Sequence, residues 1–242
     1  MKKLFSVFTA MVLLLSAMSV NVRADGYDFN DIKGHWAEAT IEKFKDKNII
    51  SGYPDGSFKP DDPITRAEFA KIITIAFDLQ GTSDLTIYDD ISQADWYYPY
   101  LLKSAKYIPV YPLPLVYETN NPYRENWEKK ENGFLPDTYA IRMHVAEALV
   151  EIKKEKENIN PELPSIQEIS SDLGETFNDG EYGNLFVIHP PTVAENVRRM
   201  NEYTWLAKEL DIMYGTDDGY FMPNARMSRA EIVTSIERLL NN

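Results

Sequence analysis

Arg66, Arg142 and Arg229 share a setting that could bind an anion. Each lies eight residues after a phenylalanine (Phe58, Phe134, Phe221), where a turn-rich segment passes into an apolar helical pattern. A cation in the first turn of a helix is disfavoured by roughly 0.3–1 kcal/mol. The same place offers unpaired backbone N–H groups and the positive end of the helix dipole. With a guanidinium fork added, it suits a carboxylate or a phosphate. The plainer alternative is pairing with a nearby carboxylate such as Asp31, Asp55, Asp90 or Asp218. That would be favoured for one arginine, whereas three equivalent arginines favour the anion site.

Helix capping does not explain these arginines. Thr65-Arg66-Ala67-Glu68 is a capping box, in which Thr65 accepts from the Glu68 N–H and Glu68 reaches back to Thr65. Ser228-Arg229-Ala230-Glu231 repeats it. In Ile141-Arg142-Met143-His144 the box is gone and the arginine remains.

The elements that carry the arginines form a threefold internal repeat. Phe-x-Pro-(Asp/Asn) opens each arginine segment, at Phe58, Phe134 and Phe221. Upstream, Gly52-Tyr-Pro-Asp55-Gly56 matches Gly215-Thr-Asp-Asp218-Gly219. Farther upstream, Phe29-Asn-Asp31, Tyr88-Asp-Asp90 and Phe177-Asn-Asp179 open the units. Each unit reads as helix, turn-rich connection, helix. Ala37, Thr40, Ile41 and Phe44 have helical spacing in the first helix of unit one, and Phe69, Ile72, Ile73 and Ala76 in its second. The second helices of the other units show Val145, Ala148, Leu149 and Ile152, then Ile232, Val233, Ile236 and Leu240. One such pair cannot bury its stripe alone, but three can share a core. The expected fold is mainly α: three helix–loop–helix repeats packed as a pseudo-threefold bundle, with short strands or turns in the loops.

The expected boundaries are a signal peptide over 1–24 and units over 25–80, 81–153 and 177–242. Unit two carries an insertion near 111–133, and unit three a loop insertion near 180–192. Residues 154–176, charged and interrupted by Pro161 and Pro164, read as a solvated linker.

Residues 1–24 pair a basic end (Lys2, Lys3) with an apolar run and the small-residue site Val22-Arg23-Ala24, which reads as a cleaved secretory signal. The segment holds three basic residues and no acidic one, so its removal takes the net charge from −13 to −16. Such a chain repels nucleic acid and anionic membrane surfaces. The absence of cysteine in an exported chain excludes a disulfide scaffold. A monomer with no membrane contact after cleavage is expected. No cofactor or metal is expected either: His35, His144 and His189 are scattered, and Asp55-Gly56 and Thr216 to Gly219 lack the remaining ligands of a calcium loop.

The stretch FNDIKGHWAEATIEKFKDKNIISGYPDGSFKPDDPITRAEFAKII resembles an S-layer homology domain. It carries an opening Phe-x-Asp, His-Trp-Ala, Gly-Tyr-x-Asp-Gly and Thr-Arg-Ala-Glu. Unit two resembles the family through Tyr88-Asp-Asp90, Asp95-Trp96-Tyr97 and Arg142. Unit three does so through Gly215, Asp218, Gly219 and Ser-Arg-Ala-Glu, without a His-Trp-Ala and with Trp205 in another register. The resemblance implies non-covalent attachment at the bacterial cell surface, with grooves between units that bind a pyruvylated secondary wall polysaccharide. Carried over by position, Arg66, Arg142 and Arg229 would contact the pyruvyl carboxylate. Asp31 and Asp90 would accept sugar hydroxyls, and Trp36 and Trp96 would shape groove walls. Gly52 and Gly215 would let the backbone approach the sugar. Core packing for Trp36 and simple turn geometry for the glycines are the alternatives. Thr65, Glu68, Ser228 and Glu231 are expected as helix caps. No catalytic residue is expected, because the three units use up the chain. The rival readings are a polysaccharide-acting enzyme and an adaptor that recruits a protein partner through the Tyr/Pro-rich segment Tyr111 to Trp127.

Overall fold

Apolar residues at helical spacing, closed by local caps, make helices the dominant element. A computed structural model describes residues 28–110, 133–178 and 191–241. The expected signal peptide, the 111–132 insertion, Asp179 and the 180–190 loop lie outside the described residues. Seven helices run through those that are described: α1 Glu38–Asp46, α2 Arg66–Ala76, α3 Tyr98–Ser104, α4 Arg142–Glu157, α5 Ile166–Thr176, α6 Pro191–Glu209 and α7 Arg229–Asn241. The only β pairing among them is isolated bridges, Pro63 with Ser228, Thr65 with Tyr139 and Ile141 with Arg226.

The second helix of each unit packs on the first helix of the next: α2 on α3, α4 on α6, and α7 back on α1. Ile41, Phe69, Ile73, Leu149, Ile152, Ile232 and Ile236 are buried in a common core. In α7 the stripe ends on Leu239 rather than Leu240, which is 41% exposed. Helix α4 is buried on nearly every face, because α6 and α7 both pack on it.

At the pseudo-threefold axis a ring of backbone hydrogen bonds joins the units. Ile64 N donates to Met227 O at 3.1 Å, Met227 N to Ala140 O at 3.0 Å, and Ala140 N to Ile64 O at 2.8 Å. Beside it, each Phe-x-Pro turn holds its middle residue in the left-handed region, with φ of 58° at Lys59, 58° at Leu135 and 57° at Met222. Such backbone persists only when neighbours hold it. In the first two units the holder is a carboxylate. Asp31 accepts from Phe58 N and Lys59 N at 2.8 and 2.7 Å. Asp90 accepts from Phe134 N and Leu135 N at 2.8 Å each.

Residues 154–176 are largely helical instead of a solvated linker. Helix α4 runs on to Glu157 and ends on left-handed Asn158. Only the stretch holding Pro161 and Pro164 is irregular. A capping box of Ser165 and Glu168 then starts α5, which buries Ile169 and Leu173 against α6.

Candidate functional site

The helix starts that hold the arginines are already filled by the protein. In α2 the Arg66 and Ala67 N–H groups donate to Thr138 O and Pro136 O of the next unit at 2.8 and 2.9 Å. Arg142 and Met143 donate in the same way to Ala225 O and Pro223 O, and Arg229 and Ala230 to Asp62 O and Pro60 O. The third N–H of α2 goes to Thr65 Oγ1, while Glu68 accepts from Thr65 N at 2.9 Å. Ser228 and Glu231 make the matching pair in α7. The first two N–H groups of each of these helices, and the third in α2 and α7, are therefore not open to an anion as the sequence suggested.

The guanidinium groups point away from their own helices into the following unit. Arg66 Nε donates to Phe134 O, Nη2 to Pro109 O, both at 2.9 Å, and Nη1 lies 3.2 Å from His144 Nδ1. Arg142 donates to Glu231 at 3.2 Å and to the Tyr214 carbonyl. Arg229 donates to Phe58 O at 2.8 Å, Ser51 O at 3.1 Å and Glu68 at 3.4 Å. Each also stacks on the phenylalanine of the next unit, Phe134, Phe221 or Phe58. The partners are thus carbonyls and the fourth residue of the next unit's tetrad, rather than Asp31, Asp55, Asp90 or Asp218. Exposure is 1% for Arg66, 8% for Arg142 and 5% for Arg229. Burial holds the Arg66 guanidinium down to about 10, against the pull of Tyr88 and Asp90, so it remains charged at neutral pH.

Two grooves open beside these interlocks. The first, of about 210 Å³, is lined by Gly52 and Tyr53 of unit one, Glu68 and Lys71 of α2, Trp96 of unit two and Arg229 of unit three. The second, of about 350 Å³, brings together Trp36, Arg142, Tyr214, Gly215, Glu231 and Arg238. Each therefore combines a tryptophan, an arginine and a loop glycine from three different units. Trp36 and Trp96 are 63% and 54% exposed, which excludes core packing for Trp36. In the first groove Tyr53 donates to Glu68 at 3.3 Å, and burial, partly offset by Arg229 and reinforced by Glu68, pushes its hydroxyl up. The glycines have a packing reason of their own. A Cβ on Gly52 would sit 2.5 Å from Phe29 Cε1, and one on Gly215 would sit 2.7 Å from Phe177 Cε1.

The family profile of the S-layer homology domain matches residues 28–70 and 204–233. The two matched stretches fall in units one and three. It is similar to an S-layer protein of Bacillus anthracis, 28% identical over 92% of this chain and 21% of that protein. It is also similar to a cellulosome-anchoring protein of Acetivibrio thermocellus, 39% identical over 35% of this chain and 20% of that protein. An exoglucanase of Acetivibrio thermocellus is 32% identical over 35% of this chain and 8% of the enzyme. The chain thus spans only a small part of the relatives it matches.

The three junctions between units are not alike. Arg199 lies fifteen residues before Tyr214, as Trp36 lies fifteen before Ser51, so it takes the tryptophan's place in unit three. Opposite it, Glu147 lies five residues after Arg142, where α2 has Lys71 and α7 has Thr234. Arg199 Nε donates to both Glu147 oxygens, at 3.0 and 3.1 Å, and Glu147 is 2% exposed. Tyr203 extends the seam by donating to Glu151 at 2.7 Å. The α4–α6 junction is therefore closed by an ion pair where the other two present an exposed indole.

Of the expected ligand residues, the grooves gather Trp96, Arg229 and Gly52 in one and Trp36, Arg142 and Gly215 in the other. Arg66 lines neither. Asp31 and Asp90 each accept from two backbone N–H groups and also line neither. Tyr53, Lys71, Tyr214 and Arg238 were missed. For Lys71 a signal existed, since it follows Glu68 by three residues on the same helix face. His35 bonds Asp61 at 3.2 Å, and among the described residues no cluster of His, Asp and Glu could hold a metal.

Proposed function

We propose that this chain is a non-covalent binding module of the bacterial cell surface that grips an anionic, pyruvylated secondary wall polysaccharide. The S-layer homology domains support cell-wall attachment, and the relatives named for the S-layer and for cellulosome anchoring point the same way. The observation that carries the reading is the convergence of tryptophan, arginine and glycine from three units in each of two grooves. An exposed indole gives a flat apolar face for a sugar ring, and the groove walls supply hydrogen-bonding groups beside it. Arg142 and Arg229 form groove floors, their forks holding the walls in place while a groove-facing edge meets the ligand. The closed α4–α6 junction leaves two working sites. Two weak sites on a polyvalent polymer give avidity without either being tight. The acidic surface does not forbid this, because salt screens charge beyond roughly 8 Å. Binding rather than catalysis is favoured, since the exoglucanase shares only 8% of its length with this chain.

The test is sedimentation of the mature chain with purified wall sacculi. Trp36→Ala and Trp96→Ala should each weaken binding, and the pair should abolish it while the helical signal persists. Undiminished sedimentation of the double variant would reject the grooves as the sites.

A further inference from the structure

The two exposed groove indoles are held in different ways. Trp96 packs on Tyr97 and Tyr100 of its own unit, with ring centroids 5.5 and 6.5 Å away. The matching positions beside Trp36 are Ala37 and Thr40, which offer no ring. Ala37 is buried, and Thr40 is bonded to Glu237 of α7. What lies against Trp36 is the His35 ring, 5.2 Å away between centroids and tilted by 36°.

His35 is itself fixed through both ring nitrogens. Nδ1 accepts from the Ala37 N–H at 3.1 Å, so the ring closes a short turn around the Trp36 backbone, as an Asx side chain does. A backbone N–H can only donate, which leaves the Nε2 proton to Asp61 Oδ1 at 3.2 Å. Asp61 lies in the turn after Phe58. The carbonyls on either side of it, Pro60 O and Asp62 O, receive the Ala230 and Arg229 N–H groups at 2.9 and 3.0 Å. Those N–H groups start α7, whose Glu231, Thr234 and Arg238 line the second groove together with Trp36. A path of contacts thus runs from the indole through His35 and one turn to α7. The other units lack it. Asp95 holds the place of His35 in unit two and accepts from Ser92 N at 2.7 Å, whereas Arg198 holds it in unit three and pairs with Glu202.

We infer that His35, braced on Asp61, is the positioning residue that holds the Trp36 indole in register with α7 across the second groove. This rests on the wall-binding reading and names what sets the geometry of that groove's aromatic face. An indole free to rotate loses that freedom when a ring stacks on it, whereas a held one has lost it already and binds better. His35 lines neither groove and acts only through Trp36.

The test uses the full mature chain carrying Trp96→Ala, so that binding reports the second groove, with wall polysaccharide released from sacculi as the probe. His35→Ala should weaken binding by about threefold to tenfold. The Asp61 side chain is 83% exposed, so Asp61→Ala keeps the test readable should His35→Ala unfold. It should weaken binding by about twofold to fivefold, and Asp61→Asn, which keeps an acceptor, should stay within about twofold. His35→Ala with Asp61→Ala should bind no more weakly than His35→Ala alone, because both break one path. In a chain carrying Trp36→Ala instead, binding reports the first groove, and the same substitutions should change it by less than about twofold. Loss of stability alone would weaken both grooves. If neither His35→Ala nor Asp61→Ala binds more weakly than its parent, or if both grooves weaken alike, this inference falls and the wall-binding reading stands. If the Trp96→Ala parent ignores the polymer while the unaltered chain binds it, the second groove is no site and the inference falls. If the unaltered mature chain ignores both sacculi and polymer, the wall-binding reading falls with it.

Discussion

Arg66 Nη1 lies 3.2 Å from His144 Nδ1, at the place where the other two junctions pair arginine with glutamate. Because the guanidinium can only donate, His144 must accept through Nδ1 and carry its proton on Nε2. His144 is 2% exposed and Arg66 1% exposed, so no water replaces that acceptor easily. His144→Ala should cost about 1–3 kcal/mol by leaving a buried cationic donor short of a partner. His144→Gln, which keeps an acceptor, should cost less. Urea unfolding of the two variants compares them, and equal losses would assign the cost to packing alone.

The arginines belong to the fold before they belong to any ligand. Arg66→Ala combined with Arg229→Ala strips partners from four buried or half-buried carbonyls, Phe134, Pro109, Phe58 and Ser51. The double variant should therefore lose several kcal/mol, on the order of the 3–5 kcal/mol seen when a buried charged partner is removed. Thermal unfolding should show this as a large fall in midpoint or the loss of a cooperative transition. Arg66→Lys should rescue little, since one ammonium cannot span the three acceptors that the planar fork reaches.

Gly52 and Gly215 should tolerate no side chain, and each should report on its own groove. An alanine Cβ at 52 would lie 2.6 Å from Ser57 O as well as against the Phe29 ring, and backbone cannot swing aside as a long side chain can. Gly52→Ala should cost about 1–3 kcal/mol and distort the Trp96 groove, and Gly215→Ala should do the same beside Trp36. Wall binding by Gly52→Ala should fall further when Trp36 is also removed than when Trp96 is. A stable, fully binding Gly52→Ala would contradict the close approach.

Acid should loosen the seam between the third and first units. Burial pushes the Glu237 carboxyl up, but hydrogen bonds from Lys43 and Thr40 outweigh it and hold the group below its ordinary value. A carboxyl lowered in the folded state binds its proton more weakly than in the unfolded chain. Its stabilisation is thus complete above the ordinary glutamate value of about 4.3 and is lost as pH falls through the lower folded one. Glu237→Gln should flatten that acid limb when the urea midpoint is followed from about pH 6 down to about pH 3, the range in which such carboxyls titrate. An unchanged pH profile would remove Glu237 from the seam.

The chain's own text was enough to show three units, their mainly helical character, and the caps of α2 and α7. Those features rest on contacts three or four residues apart, such as Thr65 with Glu68, which spacing alone can specify. The capping box of α5 is equally local, but the flanking Pro161 and Pro164 also fit a linker. Arg66 shows what spacing cannot supply. Its acceptors at Phe134, Pro109 and His144 are 68, 43 and 78 residues away in the chain. Only the packing of one unit on the next could show that the first-turn N–H groups were taken, that Asp31 and Asp90 brace a left-handed turn, and that Arg199 closes on Glu147. Local hydrogen bonds are written in neighbouring residues; the choice between an open groove and a sealed one depends on which side chains meet across a junction, and the closed threefold arrangement decides that.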